Sequence, residues 1–139
     1  MTTATDVDVR THDREHENHV SRIVVDHAMH VHTALGPGLL ESAYEACLAW
    51  ELQQSGLWVR TQVPLPLVYQ GVRLDIGYRI DMLVERCLII ELKAVDAIAP
   101  VHEAQLLSHM KLSGIHLGLL INFNVAHLKE GIRRLVNDF

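Results

Sequence analysis

The chain has 139 residues, 49% of them hydrophobic and 21% charged, with a formal net charge of −5 at pH 7. That length suits one domain that can bury roughly two-thirds of its unfolded surface, and the acidic balance excludes a global positive field for gripping nucleic acid, though not a local basic groove. No stretch is apolar enough to span a bilayer, and the opening "MTTATDVDVRTHDREHENH" has no apolar signal core.

These features predict a cytoplasmic protein with no membrane partner. Residues 1–15 read as a flexible N-terminal segment and residues 16–139 as a single domain. Aromatic residues make up only 5%, so the core must rest on Leu, Ile, Val and Ala. Cys47 and Cys87 lack metal-type spacing and read as small core residues of a reduced compartment.

Between residues 20 and 35, Val20, Ile23, Val24, His27, Val31 and Leu35 recur at helical spacing. "GPG" at 36–38 stops this helix. A second helix is expected over about 39–54, with Leu40, Ala43, Cys47, Leu48 and Leu52 on its apolar side. The period then changes to two. "LWVRTQVPLPLVYQ" reads as an edge strand, because Pro64 and Pro66 cannot donate to a ladder. Gln70-Gly71 reads as a hairpin turn. "VRLDIGYRIDMLVE" returns as a second strand, carrying Arg73, Arg79 and Asp81 on one face.

After a short turn at Glu85-Arg86, "CLIIELKAV" is a third strand, apolar enough to be central and covered on both sides. A third helix is expected from Pro100 to about Leu112, then a buried strand "HLGLLINF", and "HLKEGIRRLVNDF" as a closing amphipathic helix. The order α-α-β-β-β-α-β-α predicts an α/β (α+β) fold with a four-stranded mixed sheet flanked by helices.

The chemistry centres on "IIELKAV". Glu91 and Lys93 are two residues apart and so share one face of the strand. Asp81 lies on the paired strand, and two carboxylates brought close repel unless a cation sits between them. A hard divalent ion such as Mg²⁺ takes oxygen ligands and keeps several waters. Lys93 beside it would orient a water or neutralise charge on a phosphate. Together these make a site for phosphodiester hydrolysis. Glu41, early in the second helix, supplies a third carboxylate. His102, Gln105 and His109 fall on one face of the third helix, where Gln105 would hold a water or a phosphate oxygen.

The ordered segments carry a resemblance. "GLLESAY", with Gly38, Glu41 and Tyr44, is followed by "YRIDMLVE", "IIELKAV", "EAQLLSHM" and "GLLINF". The sequence resembles the GxxExxY protein family, a branch of the PD-(D/E)XK nuclease superfamily, over nearly everything from residue 20 to 136. The resemblance implies a restriction-endonuclease-like core and a metal-dependent endonuclease using Mg²⁺ or Mn²⁺. It implies Asp81, Glu91 and Glu41 as metal ligands, and Glu41, Asp81, Glu91, Lys93 and Gln105 as the catalytic set. Where the family commonly has Tyr after "QLLS", this chain has His109, which joins His102 as a candidate substrate contact. The implied partner is nucleic acid, DNA ahead of RNA.

Simpler readings stand beside these. Glu91 and Lys93 alone would read as a structural ion pair. Glu41 alone would read as a first-turn acid favoured by the helix dipole. Tyr44 reads as a support residue. Ten histidines occur, but no HExxH or Cys-rich pattern accompanies them, so a zinc site is not expected. Lys129, Arg133 and Arg134 read as a solvated helix face. The alternative to an enzyme is a non-enzymatic binding module or homo-oligomeric assembly built on the same fold. A weaker third reading is a metalloenzyme acting on a small phosphorylated substrate.

Overall fold

The computed structural model describes residues 13–137. Helix α1 (Arg14–Leu35) begins where the Asp13 side chain accepts from the His16 N–H, an N-cap that satisfies one of the helix's orphan donors. It starts inside the segment expected to be loose, whose first twelve residues lie outside the described ones. Val20, Val24, Ala28 and Val31 form its buried stripe.

Helix α2 (Glu41–Gln54) buries Tyr44, Leu48, Ala49 and Leu52. Its buried face differs from the expected one: Leu40 and Cys47 are exposed, while Tyr44 takes the central place. Polar and apolar residues are mixed around this helix, so its pattern does not by itself select a face. Cys87, by contrast, is buried as expected, and both thiols are free.

The strands are β1 (Val59–Pro64), β2 (Leu67–Tyr69), β3 (Val72–Leu74), β4 (Arg79–Val84), β5 (Leu88–Lys93), β6 (Leu117–Asn122) and β7 (Ile132–Val136), with helix α3 (Pro100–Ser113) between β5 and β6. Five of them form one sheet in the order β1-β4-β5-β6-β7. The β5–β6 pair is parallel and the other three pairs are antiparallel. The crossover through α3 is what a parallel pair requires.

The mixed sheet between helices is the expected architecture, with one more strand than the sequence pattern suggested. The extra strand is β7. Residues 128–131 form a short 3₁₀ turn and 132–136 an edge strand, in place of the expected closing helix. Ile132 and Leu135 are two of only a few apolar residues there, and a short amphipathic segment fits either period. As a strand it covers the open edge of β6. Arg133 and Arg134 therefore lie on an edge strand, where Arg134 Nη2 donates to Asn18 Oδ1.

The long hairpin expected over residues 57–85 is split in two. Pro64 and Pro66 interrupt the first strand, and residues 75–78 interrupt the second. The outer part, β2 and β3, pairs only with itself. Arg73 thus lies on a separate ribbon from Asp81.

The sheet separates two cores. Leu88, Ile90 and Leu92 of β5 pack with Met82, Leu119, Ile121 and the helices α1 and α2. Ile89 faces the other way, with Leu83, Leu120 and the α3 residues Leu106 and Met110. Side chains alternate along β5, so Glu91 and Lys93 share the face of Ile89. They project on the α3 side, at the end where that packing stops.

Candidate active site

The β4–β5 register pairs Met82 with Ile90, Leu83 with Ile89 and Val84 with Leu88. One step further along puts Asp81 opposite Glu91. The regular ladder ends at that step, and the two carboxylates take over its hydrogen bonds. The Leu92 N–H donates to Asp81 Oδ2 at 2.9 Å, and the Asp81 N–H donates to Glu91 Oε2 at 3.4 Å.

Glu91 is only 7% exposed. Burial of Asp81 and the adjacent Glu91 charge push the Asp81 carboxyl up to about 7, against the Leu92 hydrogen bond, which lowers it.

The second oxygen of Glu91 is held from α3. His109 Nδ1 lies 2.5 Å from Glu91 Oε1. An ionised carboxylate can only accept, so the ring nitrogen donates. The His109 ring also meets Tyr78, with centroids 5.9 Å apart.

A cleft of about 490 Å³ opens over these groups. It gathers Glu41 from α2, Asp81 from β4, Glu91 and Lys93 from β5, and Gln105 and His109 from α3. Six of the seven residues singled out from the sequence thus meet in one cavity. His102 is not among the lining residues. Its Nδ1 accepts from the Ala99 N–H at 3.0 Å, and its own N–H donates to the Ala99 carbonyl at 2.9 Å. It closes the first turn of α3.

Glu41 is placed by the loop before it. Gly38 has φ near 101°, a conformation that L side chains rarely adopt. The Tyr44 hydroxyl donates to the Gly36 carbonyl at 2.6 Å and accepts from the Leu39 N–H at 3.1 Å. The buried tyrosine therefore ties down the "GPGLL" turn from inside.

Three contributors were not singled out in the sequence. Glu45 stands one helical turn after Glu41, and its charge adds to the forces that raise Asp81. The i, i+4 acid pair was the available signal. Gln62 lies opposite Asp81 in β1, where the pairing skips from Thr61↔Met82 to Val63↔Ile80. Its φ is 52°, unusual for a non-glycine residue, and its side-chain amide donates to Glu45 Oε1 at 2.8 Å. No periodicity signals such a break. Tyr78 lines the cleft, but its alternation suggested a sheet residue.

The histidines of α1 serve packing and helix contacts. His27 Nδ1 and His30 Nδ1 meet the two oxygens of Glu51 at 2.8 and 2.7 Å. The His27 bond foremost holds Glu51 below the usual carboxylate range. His32 Nε2 lies 2.8 Å from the Val125 carbonyl.

Among the described residues, no three His, Cys, Asp or Glu side chains group as a complete metal-ligand set. The donors that do converge are two carboxylates whose proximity raises the Asp81 pKa. That chemistry fits a hard cation held by one or two carboxylates and completed by water, as Mg²⁺ usually is.

The fold and cleft define a class: a mixed-sheet α/β protein that joins an acid on one strand to an acid-x-lysine pair on the next. Residues 18–135 match the family model of the PD-(D/E)XK nuclease superfamily, and the chain belongs to that superfamily. Nucleases of this superfamily generally use divalent metals. No curated protein and no solved structure gives a significant match. Among the described residues no helix is long and apolar enough to cross a membrane.

Proposed function

We propose that the protein is a metal-dependent nuclease of the GxxExxY branch, hydrolysing phosphodiester bonds in nucleic acid, with DNA ahead of RNA as substrate. The observation that carries this reading is the convergence of Glu41, Asp81, Glu91, Lys93 and Gln105 in one cleft. Asp81 and Glu91 would hold Mg²⁺ or Mn²⁺, with Glu41 reaching it directly or through water. When bound, the ion supplies charge stabilisation for the scissile phosphate and for the leaving oxygen.

The protein's own groups do the rest. The Leu92 N–H and His109 hold the two carboxylates in place before substrate arrives, so little reorganisation is left for the reaction. Lys93, on the Glu91 face of β5, positions the attacking water and offsets charge growing on the phosphate. Gln105 donates from α3 to a phosphate oxygen. The working location is cytoplasmic, with the domain spanning residues 16–139.

A second reading has its own observation. Val31, Ala34, Leu35, Ala46, Cys47 and Trp50 line an apolar groove between α1 and α2, with Trp50 62% exposed. A homo-oligomeric assembly would use such a surface.

The deciding experiment is Mg²⁺- and Mn²⁺-dependent cleavage of linear, branched and single-stranded DNA and RNA, with Lys93→Ala as control. Cleavage that needs metal and disappears in the variant supports the nuclease. Cleavage unchanged in a pure Lys93→Ala preparation, or none of any substrate at low salt, turns the reading to the assembly module.

A further inference from the structure

We infer that the cleft takes nucleic acid as an unpaired strand, with a base stacked on Tyr78 beside the scissile phosphate. The inference rests on the nuclease reading above and names its substrate class.

The first observation is charge. The cleft lining carries three acids, Glu41, Asp81 and Glu91, against two cations, Arg79 and Lys93. Proteins that grip a duplex through its backbone neutralise about 6–10 phosphates. A cleft with two cations in a chain of net charge −5 lacks that grip. Part of the affinity must come from elsewhere, and single-strand binders add to their backbone contacts the stacking of bases on aromatic rings.

The second observation is Tyr78. The chain is poor in aromatics, yet this ring stands in the cleft wall, 46% exposed. Its main chain is fixed: the Leu65 N–H donates to the Tyr78 carbonyl at 2.8 Å. The ring leans on His109, which holds Glu91. A base on the ring is therefore placed next to the carboxylate pair by a rigid chain of contacts.

The third observation is the ribbon leading away from Tyr78. Tyr69 and Val72, on the two-stranded hairpin, and Ile76, in the link from it to Gly77 and Tyr78 of the cleft wall, are all more than half exposed. Isolated hairpins of this kind are marginal in water. Flanking bases laid along it would cover apolar surface that the rest of the described chain leaves open.

The test is fluorescence anisotropy with a labelled phosphorothioate strand, which resists cleavage, alone and annealed to its complement. Full-length wild type, Tyr78→Ala and Tyr78→Phe are compared. Expected are tighter binding of the single strand, a loss of about tenfold or more in Tyr78→Ala, and no loss in Tyr78→Phe, since a stack needs the ring and not the hydroxyl. Duplex affinity stays unchanged in both variants. A strand with one abasic position reports the same stack without altering the protein, and loses affinity for wild type only.

Equal or tighter duplex binding, unchanged strand affinity in Tyr78→Ala, a parallel loss on both ligands, or no binding at all would each overturn the inference. Cleavage of the unmodified strand, read alongside, separates the two readings. Cleavage without Tyr78 dependence leaves the nuclease and removes the stack. Tyr78-dependent strand binding without cleavage does the reverse.

Discussion

Tyr44 and Phe123 stack with ring centroids 4.5 Å apart and planes within 10° of parallel. Tyr44 fixes the turn before Glu41. The Phe123 N–H donates to the Lys93 carbonyl at 2.9 Å. The stacked pair thus spans from the helix acid to the strand lysine, through the interior and behind the cleft.

This relationship predicts that Tyr44→Phe keeps the stack but loses both hydroxyl bonds. Each such bond is worth about 1 kcal/mol, and the Gly36 carbonyl and Leu39 N–H lose their partner. The expected destabilisation is about 1–2 kcal/mol by denaturant titration, with the loss of cleavage rate exceeding any change in strand affinity. A variant as stable and as active as wild type removes Tyr44 from the support of Glu41.

Asp81 gives a pH prediction with a definite sign. Its carboxyl is raised from 3.8 to about 7 on folding, so between those values the folded state binds more protons than the unfolded one. The cost of its charge is absent near pH 4, grows as pH rises, and is complete above pH 7. In EDTA at pH 8, Asp81→Asn is expected to be more stable than wild type by about 1–2 kcal/mol after allowing for solvent screening. Near pH 4 the two converge. Proton and metal compete for the same oxygens, so wild-type affinity for Mg²⁺, followed by calorimetry, rises from pH 6 to 8. A flat affinity over that range contradicts the placement of the ion at Asp81.

His109→Ala leaves one oxygen of Glu91 unheld. Groups that orient a metal ligand typically contribute 10–100-fold in affinity or activity. The expected result is an Mg²⁺ requirement about tenfold higher, recovered in part by His109→Gln, which restores a donor. A normal metal requirement with slower cleavage would instead assign His109 to the substrate.

Two glycines separate local crowding from backbone collision. A Cβ at Gly131 would lie 2.2 Å from the Asn122 carbonyl oxygen, whereas one at Gly118 would meet the end of the Met110 side chain at 2.7 Å. Thioethers move and backbone does not. Gly131→Ala is expected to cost about 3 kcal/mol and to loosen β7, while Gly118→Ala costs about 1 kcal/mol. Thermal denaturation of the two variants checks the order.

Much of this architecture is legible in the residues. The shift from helical to alternating period at residue 57, the apolar run of β5 and the acid-x-lysine pair within it locate the sheet centre and the site together. Pro64 and Pro66 signal an edge, although not that the ribbon beyond them leaves the main sheet. The last strand is hidden because the five residues of β7 are too few to distinguish a period of 2 from 3.6. Gln62 is hidden for a different reason. Its positive φ goes with the break in β1–β4 pairing opposite Asp81, a tertiary feature that leaves no local mark. His109 was visible as a departure from a family pattern, but its role as the hydrogen-bond partner of Glu91 needed α3 to be seated on the sheet.

The turn between β4 and β5 has a consequence for how the chain reaches this state. Glu85 and Arg86 both have φ above 50°, the left-handed pair of a tight hairpin. Such a hairpin closes over a short loop, on a timescale of microseconds, whereas the parallel β5–β6 pair must wait for the α3 crossover. Asp81 and Glu91 therefore confront one another early, before the core that later encloses them is complete. Burial is the largest cause of the raised Asp81 carboxyl, so most of the electrostatic cost of the site arrives only when α3 and the core close over a hairpin that has already brought the two acids together.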